Sequence, residues 1–78
     1  MKLLFFGRLR DCAGVGEREI DLPPEITTVA SLREWIGRDL PQLLEPTVRI
    51  AIDDRLVMGG ETIGGAREIA FLPTVSGG

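Results

Sequence analysis

Hydrophobic positions in this chain come in short runs, and one of those runs has helical spacing. Lys2–Phe6, extensible to Leu9, is short, apolar and aromatic, which predicts a strand. Asp11–Gly16 carries Gly14 and Gly16 and predicts a turn. Glu17–Leu22 alternates, with Ile20 and Leu22 on one face and Glu19 and Asp21 on the other. The close spacing of these two runs predicts a β-hairpin, and Pro23-Pro24 ends it because proline cannot donate to a ladder. Val29, Leu32, Trp35 and Ile36 then form an apolar stripe at helical spacing, with Thr28 placed to cap it and Gly37 to end it. Asp39–Leu44 predicts a short second helical turn with Pro41 in its first positions. Val48, Ile50 and Ile52 alternate with Arg49 and Ala51, which predicts a strand. Asp53-Asp54 signals a turn into a brief return strand, Arg55–Val57. A glycine-rich stretch containing Ile63 follows. Glu68–Leu72 is the last strand, with Ile69 and Phe71 on one face and Ala70 and Leu72 on the other, closed by Pro73.

The order β-β-α-β-β-β cannot make a doubly wound sheet. It predicts an α+β fold, a mixed sheet of about five strands with one main helix across one face and a short second helical turn. The first and last strands can lie together at the centre, which is the β-grasp arrangement. Residues 1–73 are then one domain, and residues 74–78 a flexible C-terminal Gly-Gly tail. If extended, that tail spans roughly 16 Å at about 3.3 Å per residue.

Composition narrows the function. A chain of 78 residues has one small core and little room for an internal cleft. The net charge is −3, and Arg8, Arg10, Arg18, Arg33, Arg38, Arg49, Arg55 and Arg67 are scattered among acids, so no basic stripe suits a nucleic acid. Lys2 is the only lysine. Cys12 is the only cysteine, which excludes an internal disulfide and fits a reducing, cytoplasmic location. The apolar start breaks at Gly7-Arg8, too soon for a signal peptide, and no run reaches membrane-spanning length.

Catalytic groupings are scarce. There is no histidine to act as base or metal ligand. Cys12 has no CxxC partner and reads as an ordinary thiol. The internal glycine pairs do not form a phosphate loop, and Asp53-Asp54 reads as a hairpin turn more readily than as a carboxylate pair. Trp35 reads as core. That leaves Ser76-Gly77-Gly78, a thin ending that can enter a narrow channel. Its carboxylate is ionised at neutral pH and unreactive until something activates it.

Three segments resemble one family. Phe5-Phe6-Gly7-Arg8-Leu9-Arg10 looks like its opening strand and loop, and Thr28-Val29-Ala30-Ser31-Leu32 like its helix start. Most specific is Glu68-Ile69-Ala70-Phe71-Leu72-Pro73-Thr74-Val75-Ser76-Gly77-Gly78. Together they resemble the small subunits of molybdopterin synthase, ubiquitin-like sulfur carriers of the MoaD type. Two turns depart from the pattern: Ala66-Arg67-Glu68 follows Gly65 where Asp-Glu is usual, and Asp53-Asp54 stands where Asn-Gln is common.

The resemblance implies a β-grasp fold and a chemistry at Gly78. An E1-like adenylyltransferase would activate that carboxylate with ATP, and a sulfur donor would turn the adenylate into a thiocarboxylate. The tail, including Ser76 and Gly77, would then deliver sulfur to cyclic pyranopterin monophosphate in the large subunit. The chain would bind no cofactor itself and would not be catalytic alone. Phe6 and Leu56 match positions that contact the large subunit, and Leu72, opposite Phe71 on the last strand, is a further candidate contact as an exposed apolar residue beside the tail. Arg8 and Arg10 are candidates for contact with the activating enzyme. The family further implies two small subunits at opposite ends of a large-subunit dimer. Three alternatives stay open: a related carrier for thiamine, tRNA thiolation or cysteine synthesis, a protein modifier joined to lysines through Gly78, and a plain interaction domain whose tail does nothing.

Overall fold

The computed structural model describes residues 1–73. The elements in order are β1 (Lys2–Phe5), α1 (Arg8–Ala13), β2 (Glu17–Glu19), α2 (Val29–Gly37), a 3-10 turn (Pro41–Leu44), β3 (Arg49–Ile52), β4 (Arg55–Val57) and β5 (Glu68–Leu72). They build one five-stranded sheet in the order β2-β1-β5-β3-β4. β1 and β5 are central and parallel, with Leu3 opposite Ile69 and Phe5 opposite Phe71. The other pairings are antiparallel.

Alternation gives the sheet two unlike faces. Leu3, Phe5, Ile50, Ile52, Val57, Ile69 and Phe71 are buried and meet Val29, Leu32 and Ile36 of α2. Burying each such side chain fully contributes roughly 1.5–3 kcal/mol. The Phe5 and Phe71 rings stack with centroids 5.6 Å apart, tying the two central strands together. Trp35 packs against this core while remaining partly exposed.

α2 begins where the sequence predicts. Thr28 Oγ1 accepts from the Ser31 N–H at 3.1 Å, and Ser31 Oγ accepts from the Thr28 N–H at 3.0 Å, a reciprocal capping box. The remaining first-turn donors are met from the loop before β5: Val29 N–H bonds Glu61 O at 3.0 Å and Ala30 N–H bonds Gly59 O at 2.9 Å. Ile63, in that loop, is buried.

Three expectations need correction. The connection between the first two strands is not a tight turn, because it contains α1. That helix holds Leu9 against the core and ends at Gly14 in the left-handed region, φ +81°. Arg8 and Arg10 are therefore helical, not loop residues. β2 stops at Glu19 rather than Leu22: the pairing with β1 is used up where Ile20 N–H bonds Met1 O at 2.9 Å. β3 begins at Arg49, although Val48 is buried beside it. The turn at Asp53 and Asp54 is as predicted, both residues having positive φ.

Candidate functional site: an uncovered sheet face and the exit of the last strand

The face of the sheet opposite α2 has no helix over it among the described residues. The registers place Leu4, Ala70, Ala51 and Leu56 in one row across β1, β5, β3 and β4. Small residues at the two central positions make the row flat. One row nearer the carboxyl ends of β1 and β5 stand Phe6, Leu72 and Arg49; the Phe6 N–H bonds Phe71 O at 3.1 Å, and Arg49 is the Cα partner of Leu72.

Three sequence-predicted contact residues thus share one face. Phe6 is 44% exposed and Leu56 59% exposed, both large apolar side chains in water. Leu72 is half-buried rather than exposed, since Phe6 and Arg49 flank it on the neighbouring strands. Phe6 and Leu56 lie three strand spacings apart, roughly 14 Å. Met58, just past the end of β4, is 89% exposed, and the sequence reading missed it.

Phe6 and Leu72 stand at the end of the sheet where β5 finishes, whereas Leu56 lies one row back, two strands away on β4. Pro73 follows Leu72 and lies against Gly7. Ser76, Gly77 and Gly78, with the rest of the 74–78 tail, lie outside the described residues.

Arg8 and Arg10 stand on α1, on the same side as this exit. Arg8 Nη2 donates to Glu45 Oε2 at 3.2 Å, a pair with both side chains about half exposed. Such a pair holds little energy and opens easily for another acid. The Arg10 guanidinium lies over Gly16, whose bare Cα makes room for it. Cys12 is exposed.

No second centre of chemistry competes for attention among the described residues. A cavity of about 260 Å³ opens between α2 and the β3–β4 pair, but its lining, which includes Val29, Val48, Ile50, Val57 and Met58, contains no carboxylate, thiol or imidazole. The Arg33 guanidinium beside it is engaged by the carbonyls of Leu43 and Glu45. Asp53 is structural: its carboxylate accepts from the Arg67 and Glu68 N–H groups at 3.0 and 2.9 Å.

A helix-backed mixed sheet with parallel central first and last strands, open on its other face, defines a ubiquitin-like domain of the β-grasp class. The chain belongs to the ThiS family, whose model matches residues 3–78. It is 34% identical over 82 residues to the molybdopterin synthase sulfur carrier subunit of Caenorhabditis elegans, covering 100% of this chain and 96% of that one. It superposes on the putative molybdopterin converting factor, subunit 1, of Pyrococcus furiosus with TM-score 0.78 and 31% identity, over 95% of each chain. SAMP1 of Haloferax volcanii shares the fold, with TM-score 0.76 and 22% identity over 99% of this chain and 97% of that one. No helix of the described residues is long and apolar enough to cross a membrane.

Proposed function

We propose that this chain is the sulfur-carrying small subunit of a molybdopterin synthase. The observation that carries the reading is the placement of Phe6 and Leu72 beside the exit of β5, on the open face that also bears Leu56, in a ThiS-family chain that carries Ser76-Gly77-Gly78 beyond that strand. A folded body docks through its open face and so hands its tail to the partner's active site. Holding the reacting group in place makes the transfer effectively unimolecular.

The chemistry begins outside the chain. The Gly78 carboxylate attacks the α-phosphorus of ATP on an E1-like adenylyltransferase, giving an acyl-adenylate and pyrophosphate. A sulfide equivalent from the sulfur donor displaces AMP and leaves a thiocarboxylate. In the large subunit that sulfur bonds to a side-chain carbon of the pterin precursor, cyclic pyranopterin monophosphate, as the C–O bond at that carbon breaks and its oxygen leaves as phosphate or water. Water then cleaves the resulting thioester and restores the Gly78 carboxylate. The dithiolene takes two such cycles. The carrier's own contribution is delivery: Gly77 and Gly78 add no side-chain bulk, and the apolar face supplies the docking energy. It requires no cofactor of its own, ATP being consumed by the activating enzyme.

The test is an intact mass. The chain is incubated with ATP, the adenylyltransferase and sulfide, and exchange of one oxygen for sulfur is the expected product. An unchanged mass, or lysine conjugates alone, would overturn the reading. Addition of the large subunit and the pterin precursor then separates this pathway from thiamine, tRNA or cysteine carriers.

A further inference from the structure

Gly7 stands between β1 and α1, exposed to solvent, where the core makes no demand for a small residue. Its backbone sits at φ +56°, ψ −135°, a region that is essentially glycine's own. A Cβ built there would lie 2.8 Å from Pro73 Cγ and 3.5 Å from Pro73 Cδ. Neither partner can easily give way. The Phe6 N–H is bonded to Phe71 O at 3.1 Å, and Gly7 O accepts from the Arg10 N–H at 3.1 Å. Gly7 is therefore pinned to both β5 and α1. Pro73 is a ring with a fixed φ, not a side chain with a free end.

We propose that Gly7 is a positioning residue: its bare Cα seats the Pro73 ring and so sets the direction in which the chain leaves β5 at Pro73. Any side chain at Gly7 must push the ring out to an ordinary contact of at least 3.4 Å. Were the five following residues fully extended, a tilt of roughly 10° at Pro73 would carry their far end about 3 Å sideways. A misplacement of that size is large for a group that must meet a substrate inside a partner's channel.

Two measurements test this, and only the second rests on the sulfur-carrier reading. The single cysteine, Cys12, is exposed on α1 and takes a nitroxide label. Paramagnetic relaxation of the backbone amides then reports the path of the residues after Pro73, while the amides of Leu3 and Phe71 check that α1 has not moved. Gly7→Ala is expected to shift the relaxation profile at residues 74–76. The control is Gly65→Ala, which also forces a side chain into positive φ, at +82°, but has nothing within 4 Å to strike. It should leave the profile unchanged.

In sulfur transfer with the large subunit, Gly7→Ala should lower kcat by about tenfold to a hundredfold with KM unchanged, and Gly65→Ala should not. Should Gly7→Ala destabilise the fold, Gly7→Ala/Pro73→Ala decides the matter. Removing the ring leaves only Pro73 Cβ, an ordinary 4.0 Å contact, so the double variant should melt higher than Gly7→Ala alone. The proposal is overturned if Gly7→Ala keeps the wild-type profile, if its kcat falls no further than that of Gly65→Ala, or if the double variant shows no recovery. A wild-type chain that never accepts sulfur would defeat the functional reading and leave the relaxation result to judge Gly7.

Discussion

The carboxylate of Glu61 accepts from the backbone N–H groups of Met58, at 3.0 Å, and Gly59, at 2.8 Å. These bonds, that of Met58 foremost, favour the ionised form and hold its pKa below the ordinary value. A depressed carboxylate contributes stability that is present above its unfolded pKa and lost as the pH falls through the folded one. Thermal melts across the acid range should therefore show Glu61→Gln destabilised most near neutrality, with its difference from wild type shrinking as the pH drops. A constant difference would mean that the charge is not what matters. At the β3–β4 turn the same scale predicts a gain. Asp54 sits at φ +70°, a conformation costing a residue with a Cβ about 1 kcal/mol. Asp54→Gly should raise stability in urea by roughly 0.5–1 kcal/mol, Asp-Gly being the favoured pair for such turns.

α2 is held at its start by side chains and by the loop ahead of β5, so its cap is tertiary as well as local. Thr28→Ala removes the acceptor for the Ser31 N–H and should cost about 1 kcal/mol, read as a lower denaturant midpoint at an unchanged slope. α1 teaches a different lesson. It has six residues, and only Leu9 and Ala13 lie at helical spacing within it, too few to reveal a period. Gly14 was visible as a punctuator, but the same glycine ends a turn or a helix equally well. What makes α1 a helix is the burial of Leu9 under the fold and the left-handed cap at Gly14, whose N–H bonds Arg10 O at 2.8 Å.

Across the molecule, one face of the sheet is spent on the core and the other is left open among the described residues. Phe6 is the natural centre of the open corner, adjacent to Leu72 and to the chain's exit. Phe6→Asp should weaken binding of the large subunit by at least roughly 30-fold, on the order of 2 kcal/mol, by titration calorimetry. Its melting temperature should stay close to wild type, because the side chain is already in water. Loss of folding together with binding would instead assign Phe6 to the core.

The sequence by itself determined the five strands, the capped helix α2, the turn at Asp53-Asp54 and the alternation that buries Ile69 and Phe71. These follow from periodicity, capping chemistry and turn preference, all of which act over a few neighbouring residues. It also pointed to the Gly-Gly ending, since residue type alone leaves so few other groups to carry chemistry. The pairing of β1 with β5 was compatible with the pattern but was decided only in three dimensions, because contacts between residues near opposite ends of the chain leave no local trace. The same is true of the seat that Gly7 offers Pro73, and of the open face that gathers Phe6, Leu56 and Leu72. Alternation shows that two residues of one strand share a face; only strand order and register show which residues of different strands share it.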